Sequence, residues 1–419
     1  MQKGCPSLFP LNHLSIGCHN PVAILGRPYG AVTSNALAFE NMRVCMVTSW
    51  YSECGIASYT RNLAEPLNKY CTLTVLSDKS TESSTHNIRD PSKPIQSWHY
   101  KHLNLGEGFS LLRQGIRQDI VHWQFEYLLF GLLGLMYFLP ILVILRLLGR
   151  RQIVTLHSIV SRKDITQELV DLSNYRIPLS LVRGSFFVYN FLMGRCAKII
   201  THNQYGSKIL SNEYYVPTSQ IHIIPHGISS EHNSAENEGY LLFQGFIKPV
   251  KGLHLLINAL PEIQRTIPEA KLVIAGKVMD EEYFHLALKS LEGNGKDHVE
   301  IRNSFLEDRD VEGLFAKSNV VVAPYKGSVF GSSGVISRAM AHQKPVVYSP
   351  VPIFVEELRD LSTNGFAICV DPADSKRLAE SVTALWKKDI DRAKYEQLTA
   401  LRSWNETADK TWKIYTSTS

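Results

Sequence analysis

The chain of 419 residues is long enough for two domains of ordinary size. With 44% hydrophobic and 20% charged residues and no low-complexity tract, it is neither fibrous nor a disordered polyelectrolyte. A net charge of +5 suits an anionic ligand or an anionic membrane surface and is too small to argue for nucleic acid, while seven cysteines without a C-x-x-C pair argue against a disulfide framework or a structural zinc site.

Residues 1–41 carry scattered Pro, Gly and Asn and no apolar segment with a cleavage site, so they read as a poorly ordered leader. Met42 stands directly before the first clear strand and is a candidate translation start. From there, short β-branched runs alternate with amphipathic helical stretches, the mark of a parallel α/β architecture. Strands are expected at Arg43–Thr48, Leu73–Leu76, Ile120–Trp123, Ile153–Leu156, Ile199–Thr201 and Ile221–Ile224, with a helix over Gly55–Leu67. The polar run 229–239 reads as a linker. Alternation then restarts, with strands expected at Tyr240–Gln244, Leu272–Ala275, Val299–Ile301, Val320–Ala323, Pro345–Tyr348 and Ala367–Val370. This gives a first domain at 42–228, a second at 240–399, and a tail at 400–419 that returns to cover the first. The tail Tyr395–Tyr415 has helical spacing, with Leu398, Leu401, Trp404, Ala408, Trp412 and Tyr415.

Residues Leu128–Leu145 carry no charge, but Pro140 interrupts them and the flanking strands belong to one sheet, which opposes a membrane span. Arg146, Arg150, Arg151, Arg162 and Lys163 follow. Two readings stay open: a core helix, or an interfacial helix on anionic lipid.

Several strand ends carry chemistry. Gly55 opens a helix after the first strand, where a ligand can approach backbone N–H groups; taken alone, a tight strand-to-helix turn is the simpler explanation. Polar residues gather at the carboxyl end of the next buried strand, His122, Gln124 and Glu126, where open α/β sheets bind ligands. His157 and the Thr201-His202-Asn203 run lie at further strand ends and would share that rim; a lone His is usually structural. In the second half, Gly245, Lys248, Lys251 and Gly252 form a loop whose lysines can neutralise a diphosphate. Tyr325 ends a strand, and Ser332, Ser333, Gly334 and Val335 lead into a helix whose start can hold a phosphate, although a serine there can equally be a plain N-cap.

Taken in order, the Gly55-Ile-Ala-Ser-Tyr59 turn, Asp119–Glu126, Thr155-Leu-His157, Ile224-Pro-His226-Gly, Gly245…Lys251-Gly252, Ala323-Pro-Tyr325, Ser333-Gly334, Ala339-Met-Ala and Lys344-Pro-Val-Val resemble a retaining glycosyltransferase of family 4 over Arg43–Tyr415. The resemblance implies the GT-B fold: α/β, with two Rossmann-like domains whose parallel sheets face each other across a cleft. It implies a nucleoside-diphosphate-sugar donor on the second domain, held by Gly245, Lys248, Lys251, Tyr325, Ser332, Ser333, Gly334 and Val335. The acceptor, a glycan or a lipid-linked chain, would meet Gly55, Ile56, His122, Gln124, Glu126 and Asn203, with His157 and Lys251 in the catalytic roles. Two positions depart from the family's pattern: the glutamates of many members are replaced here by Phe330 and Arg338.

The expected reaction is hexosyl transfer with retention, needing no metal or cofactor beyond the nucleotide-sugar co-substrate; no Asp-x-Asp motif is present. The expected location is the cytoplasm, at the inner face of a membrane. Two alternatives share the fold: a nucleotide-sugar 2-epimerase drawing on Glu126, Glu356 and Glu357, and a non-catalytic nucleotide-sugar-binding protein.

Overall fold

The computed structural model describes residues 42–52, 54–79, 94–100, 102–127, 129–166, 178–229, 237–291, 296–327, 331 and 333–417. The expected leader and most of the expected linker lie outside these residues.

The first sheet contains β1 (Arg43–Thr48), β2 (Thr72–Asp78), β3 (Ile95–Trp98), β4 (Ile120–Phe125), β5 (Arg151–Leu156), β6 (Lys198–Thr201) and β7 (Ile221–Ile223). They pair in parallel in the order β3-β2-β1-β4-β5-β6-β7. The second sheet contains β8 (Tyr240–Gln244), β9 (Lys271–Ala275), β10 (Val299–Arg302), β11 (Val320–Ala323), β12 (Val346–Tyr348) and β13 (Ala367–Cys369), in the parallel order β10-β9-β8-β11-β12-β13. The central strands, such as β1, β4, β5, β8, β9 and β11, are buried on both faces, which is why they read as continuous apolar runs, whereas the edge strands β3, β7 and β10 are largely exposed or half-buried.

Both sheets reverse direction of winding at one point, between β1 and β4 and between β8 and β11. Ligands of open parallel sheets bind outside the carboxyl ends of the strands at such a switch. The turns after β1 and β8 are therefore placed by topology, before any side chain is considered.

Around the first sheet stand α1 (Gly55–Leu67), α2 (Leu105–Ile116), α3 (Gly131–Leu147), α4 (Leu179–Cys196) and α5 (Gln204–Tyr214). Around the second stand α6 (Leu253–Thr266), α7 (Glu281–Lys289), α8 (Asp308–Lys317), α9 (Gly334–Ala341), α10 (Pro352–Glu357), α11 (Arg359–Thr363), α12 (Ser375–Trp386) and α13 (Arg392–Thr399). In α1, Ile56, Tyr59, Leu63 and Leu67 are buried at helical spacing. In α3, Phe138, Ile141, Leu142 and Leu145 face the core, while Met136, Ile144 and Leu147 are exposed. No helix among the described residues is long and apolar enough to cross a membrane.

The tail differs from the single expected helix. It is broken at Ala400–Ser403, where the chain crosses from the second sheet to the first. Here Ile228 N–H donates to Arg402 O at 2.7 Å, so the two crossing segments bind each other. Ser403 then caps a new helix, α14 (Trp404–Thr416), its side chain accepting from Glu406 N–H. α14 packs on α1, and its Ala408, Ile414 and Tyr415 join the core that holds Val44, Met46 and Leu63.

Candidate active site

The loop after β8 is fixed by backbone geometry. Gly252 has φ +69°, and a Cβ there would stand 1.9 Å from the Pro324 carbonyl oxygen, so no other residue fits. Lys326 N–H donates to Val250 O at 2.8 Å, which fastens this loop to the one after β11. Lys251, in the short turn Pro249–Lys251, donates from Nζ to the Tyr325 hydroxyl at 2.8 Å and lies 3.9 Å from its ring centroid. Tyr325 is itself buried, so its contact is with the lysine, which it aims. Partial burial lowers the Lys248 pKa, and the neighbouring Lys251 charge lowers it further against the pull of Glu126. Two crowded cations of this kind gain from a bound anion.

Ser333 stands at the N-cap of α9 in an extended conformation, and its side chain does not cap the helix. The first turn of α9 holds no acidic residue, so its amide dipoles are unopposed. The two anion-seeking elements meet. Gly245, Lys248, Lys251, Ser333, Gly334 and Val335 line one cavity of about 320 Å³, closed from the other half by Cys54, Gly55 and Ser58. Ser332 and Phe330 lie outside the described residues.

Three ion pairs at this cleft lie outside the motifs. Asp308, at the start of α8, receives Arg61 from α1 at 3.2 Å and also pairs with Arg338 of α9. Arg338 further donates to Glu312 at 3.0 Å. Burial works against ionisation of Asp308, yet Arg338 and Arg61 hold its carboxyl below the usual range. Apart from Arg338, which departs from the family pattern, their sequence signal is a pair of carboxylates one helical turn apart, on a helix that otherwise reads as an ordinary solvated face. Among the described residues, no three His, Cys, Asp or Glu side chains gather as a metal-ligand set.

The first half behaves differently. His122 is not on the cleft rim: it is fully buried, with Nδ1 2.6 Å from the Tyr415 hydroxyl and Nε2 2.7 Å from Thr155 Oγ1. α14 covers this strand, so a polar face that looked like a rim is core. Gln124 is also fully buried and accepts from His157 Nε2–H at 2.8 Å; it touches the histidine that leads into the next loop. Ile56 is a core residue of α1. Asn203 is the N-cap of α5, its side chain accepting from Gly206 N–H at 2.7 Å. Gly55 does line the cleft, and Glu126 stands within electrostatic reach of Lys248.

His157, His202 and His226 surround the Tyr59 ring at centroid distances of 4.8, 5.2 and 5.1 Å. Burial lowers the pKa of all three, to about 4 for His202 and about 3 for His226, and the neighbouring histidines lower His157 further. His157 is therefore a neutral imidazole with Nε2 protonated. The Gly331 backbone packs on its carbonyl so closely that a Cβ would meet it at 1.8 Å. Glu356 crosses from α10 to accept from the N–H of Tyr205 at 2.9 Å and of Gln204, so it caps α5 from the other half.

This geometry can be set beside known proteins. Residues 54–232 match the model described as Glycosyltransferase Family 4, and residues 238–388 match that of Glycosyl transferases group 1. The phosphatidyl-myo-inositol mannosyltransferase of Mycobacterium leprae is 27% identical over 206 residues, 46% of this chain and 52% of the relative. The O-antigen chain mannosyltransferase RfbU of Salmonella typhimurium is 25% identical over 251 residues, 57% of this chain and 66% of the relative. The chain thus spans about half to two thirds of the length of these curated relatives. Among solved structures, Anabaena Alr3699/HepE in complex with UDP and glucose superposes with a TM-score of 0.66 at 14% identity, covering 90% of this chain and 100% of that one. WaaG, a glycosyltransferase involved in lipopolysaccharide biosynthesis, gives 0.63 at 15% identity, with 90% and 100% coverage. At such identities these structures show the shared GT-B fold. With one family model on each sheet and that fold throughout, the chain belongs to the group 1, family 4 glycosyltransferases.

Proposed function

We propose that this protein transfers a hexosyl group from a nucleoside-diphosphate sugar to an acceptor hydroxyl, retaining the anomeric configuration. One observation carries the reading: Lys248, Lys251 and the uncapped start of α9 line the same cavity at the switch point of the second sheet. As the glycosidic bond breaks, negative charge grows on the departing diphosphate. Lysine charges and helix amides already aimed at that point stabilise it without reorganising. They take the role a metal would otherwise play, so the reaction runs without one. His157, neutral and oriented by Gln124, serves as a hydrogen-bond partner for the transferred sugar rather than as a cationic acid.

The two mannosyltransferase relatives favour mannose as the hexose and a glycan or lipid-linked acceptor. The exposed Met136, Ile144 and Leu147 on α3, beside Arg146, suit contact with an anionic bilayer at the acceptor side. The described cysteines are free, which fits a reducing compartment such as the cytoplasm.

A donor panel tests the proposal. Thermal stabilisation is measured with GDP-mannose, UDP-glucose and their parent diphosphates, and the product anomer is read by NMR with EDTA present. One nucleotide sugar should stabilise the protein and turn over to a retained product. Stabilisation by none, or an inverted product, would overturn the reading.

A further inference from the structure

A second cavity of about 250 Å³ adjoins the first on the side of the crossing segments, and the two share Gly55, Ser58, Asp308, Gly334 and Arg338. Asp308 and Glu312 lie one turn apart on α8, so their carboxylates project from the same side. Arg338 bridges them, donating from Nε to Glu312 Oε1 at 3.0 Å and from Nη2 to Asp308. Glu312 also receives His342 Nε2. His342 lines the second cavity, and its Nδ1 is buried without a hydrogen-bond partner there. Despite its partners, the Asp308 side chain keeps 51% of its surface accessible.

These groups have a definite chemistry. A guanidinium only donates, so Arg338 offers no acceptor to a ligand; a carboxylate has about four acceptor positions, more than its present partners fill. The arginine bridge holds both carboxylates in place. From Ser333 to Arg338, α9 advances only about 7 Å along its axis at 1.5 Å per residue. A ligand whose diphosphate rests on the start of α9 therefore brings the group next to its phosphates up against Asp308.

We propose that Asp308 and Glu312, clamped by Arg338, read the vicinal hydroxyls of the ligand bound in this cleft. The inference rests on the nucleotide-sugar reading of the cleft given above. Two parts of such a ligand carry vicinal hydroxyls, the ribose and the hexose, and both present the same pair of hydrogen-bond donors.

Calorimetric titration of the full chain distinguishes the sources. The ribose arm compares UDP and GDP with their 2′-deoxy and 3′-deoxy forms. The hexose arm compares UDP-glucose and GDP-mannose with the 2-deoxy and 3-deoxy sugars. Each series is repeated on Asp308→Asn and Glu312→Gln. In one arm, hydroxyl deletion should weaken binding to the unaltered chain at least tenfold. Asp308→Asn should then weaken the intact ligand at least tenfold but the deleted ligand less than threefold. If the unaltered chain binds the nucleotides and discriminates in neither arm, the inference is wrong while the nucleotide-sugar reading stands. Equal losses on intact and deleted ligands for both variants would overturn it in the same way. If no nucleotide binds the unaltered chain, both readings fall.

Discussion

The two halves of this molecule present similar polar residues at the ends of similar strands, yet use them in opposite ways. In the first half, His122 and Gln124 turn inward and hydrogen-bond to Tyr415, Thr155 and His157. Both are fully buried. In the second half, Lys248, Lys251 and Ser333 stand on loops beyond the strand ends and line the cleft. The difference comes from what covers each sheet. α14 crosses back over the first half and turns strand-end polar groups into core. Among the described residues no element covers the switch point of the second half in this way, and its loops line the cleft. Residue type at a strand end is thus a weaker guide than which element arrives later in the chain to bury it.

Substitutions can break this contrast in order of expected effect. Lys251→Ala should reduce turnover a hundred- to a thousandfold, a loss of about 3–4 kcal/mol in transition-state stabilisation, while leaving the melting temperature unchanged. A drop of less than tenfold in steady-state rate would place the diphosphate elsewhere. His122→Ala should do the reverse. Cavity formation and the orphaned Tyr415 hydroxyl should cost about 2–4 kcal/mol of stability in urea unfolding, with turnover per folded molecule within twofold of the parent. A rate loss with stability intact would return His122 to the site.

Acid should expose the buried histidines. Burial depresses the pKa of His122 to about 3, His202 to about 4 and His226 to about 3, below the ordinary value of 6.5. The unfolded chain therefore takes up protons first as pH falls. The stability these groups contribute is present above pH 6.5 and declines below it, by about 2 kcal/mol per histidine on reaching pH 5. Denaturation midpoints that stay flat from pH 7 to 5 would contradict the buried neutral cluster. The smallest effect belongs to Tyr325→Phe, which removes the hydroxyl that aims Lys251. A net hydrogen bond is worth about 1 kcal/mol, so KM for the donor should rise several-fold with little change in stability.

Much of the fold was legible because the central strands of both sheets are buried on two faces. Runs such as RVCMVT at β1 and VVVA at β11 could be nothing else. β3 was not, because it is a short edge strand in which only Ser97 and Trp98 are buried. The break in the tail was hidden because α13 and α14 both carry apolar residues at helical spacing. Only the pairing of Ile228 with Arg402 shows why the chain must turn there. That the Gly-Lys loop and the Ser-Gly helix start meet at one cleft was legible from their place after β8 and β11, and the positive φ of Gly252 restricts residue type there. The Arg61–Asp308–Arg338 network was not. It joins residues from three separate helices; Arg338 stood out only as a departure from the family pattern, while Arg61 and Asp308 look like ordinary surface charges until the fold assembles them.

The central claim is that the second half grips a diphosphate, and phosphate counting tests it most directly. Affinities of the nucleoside, its monophosphate and its diphosphate are measured on the parent chain and on the Lys248→Ala, Lys251→Ala double variant. Affinity should climb at least tenfold with the second phosphate in the parent, and the climb should vanish in the variant. A nucleoside that binds as tightly as its diphosphate, or a variant that keeps the full increment, would contradict the account.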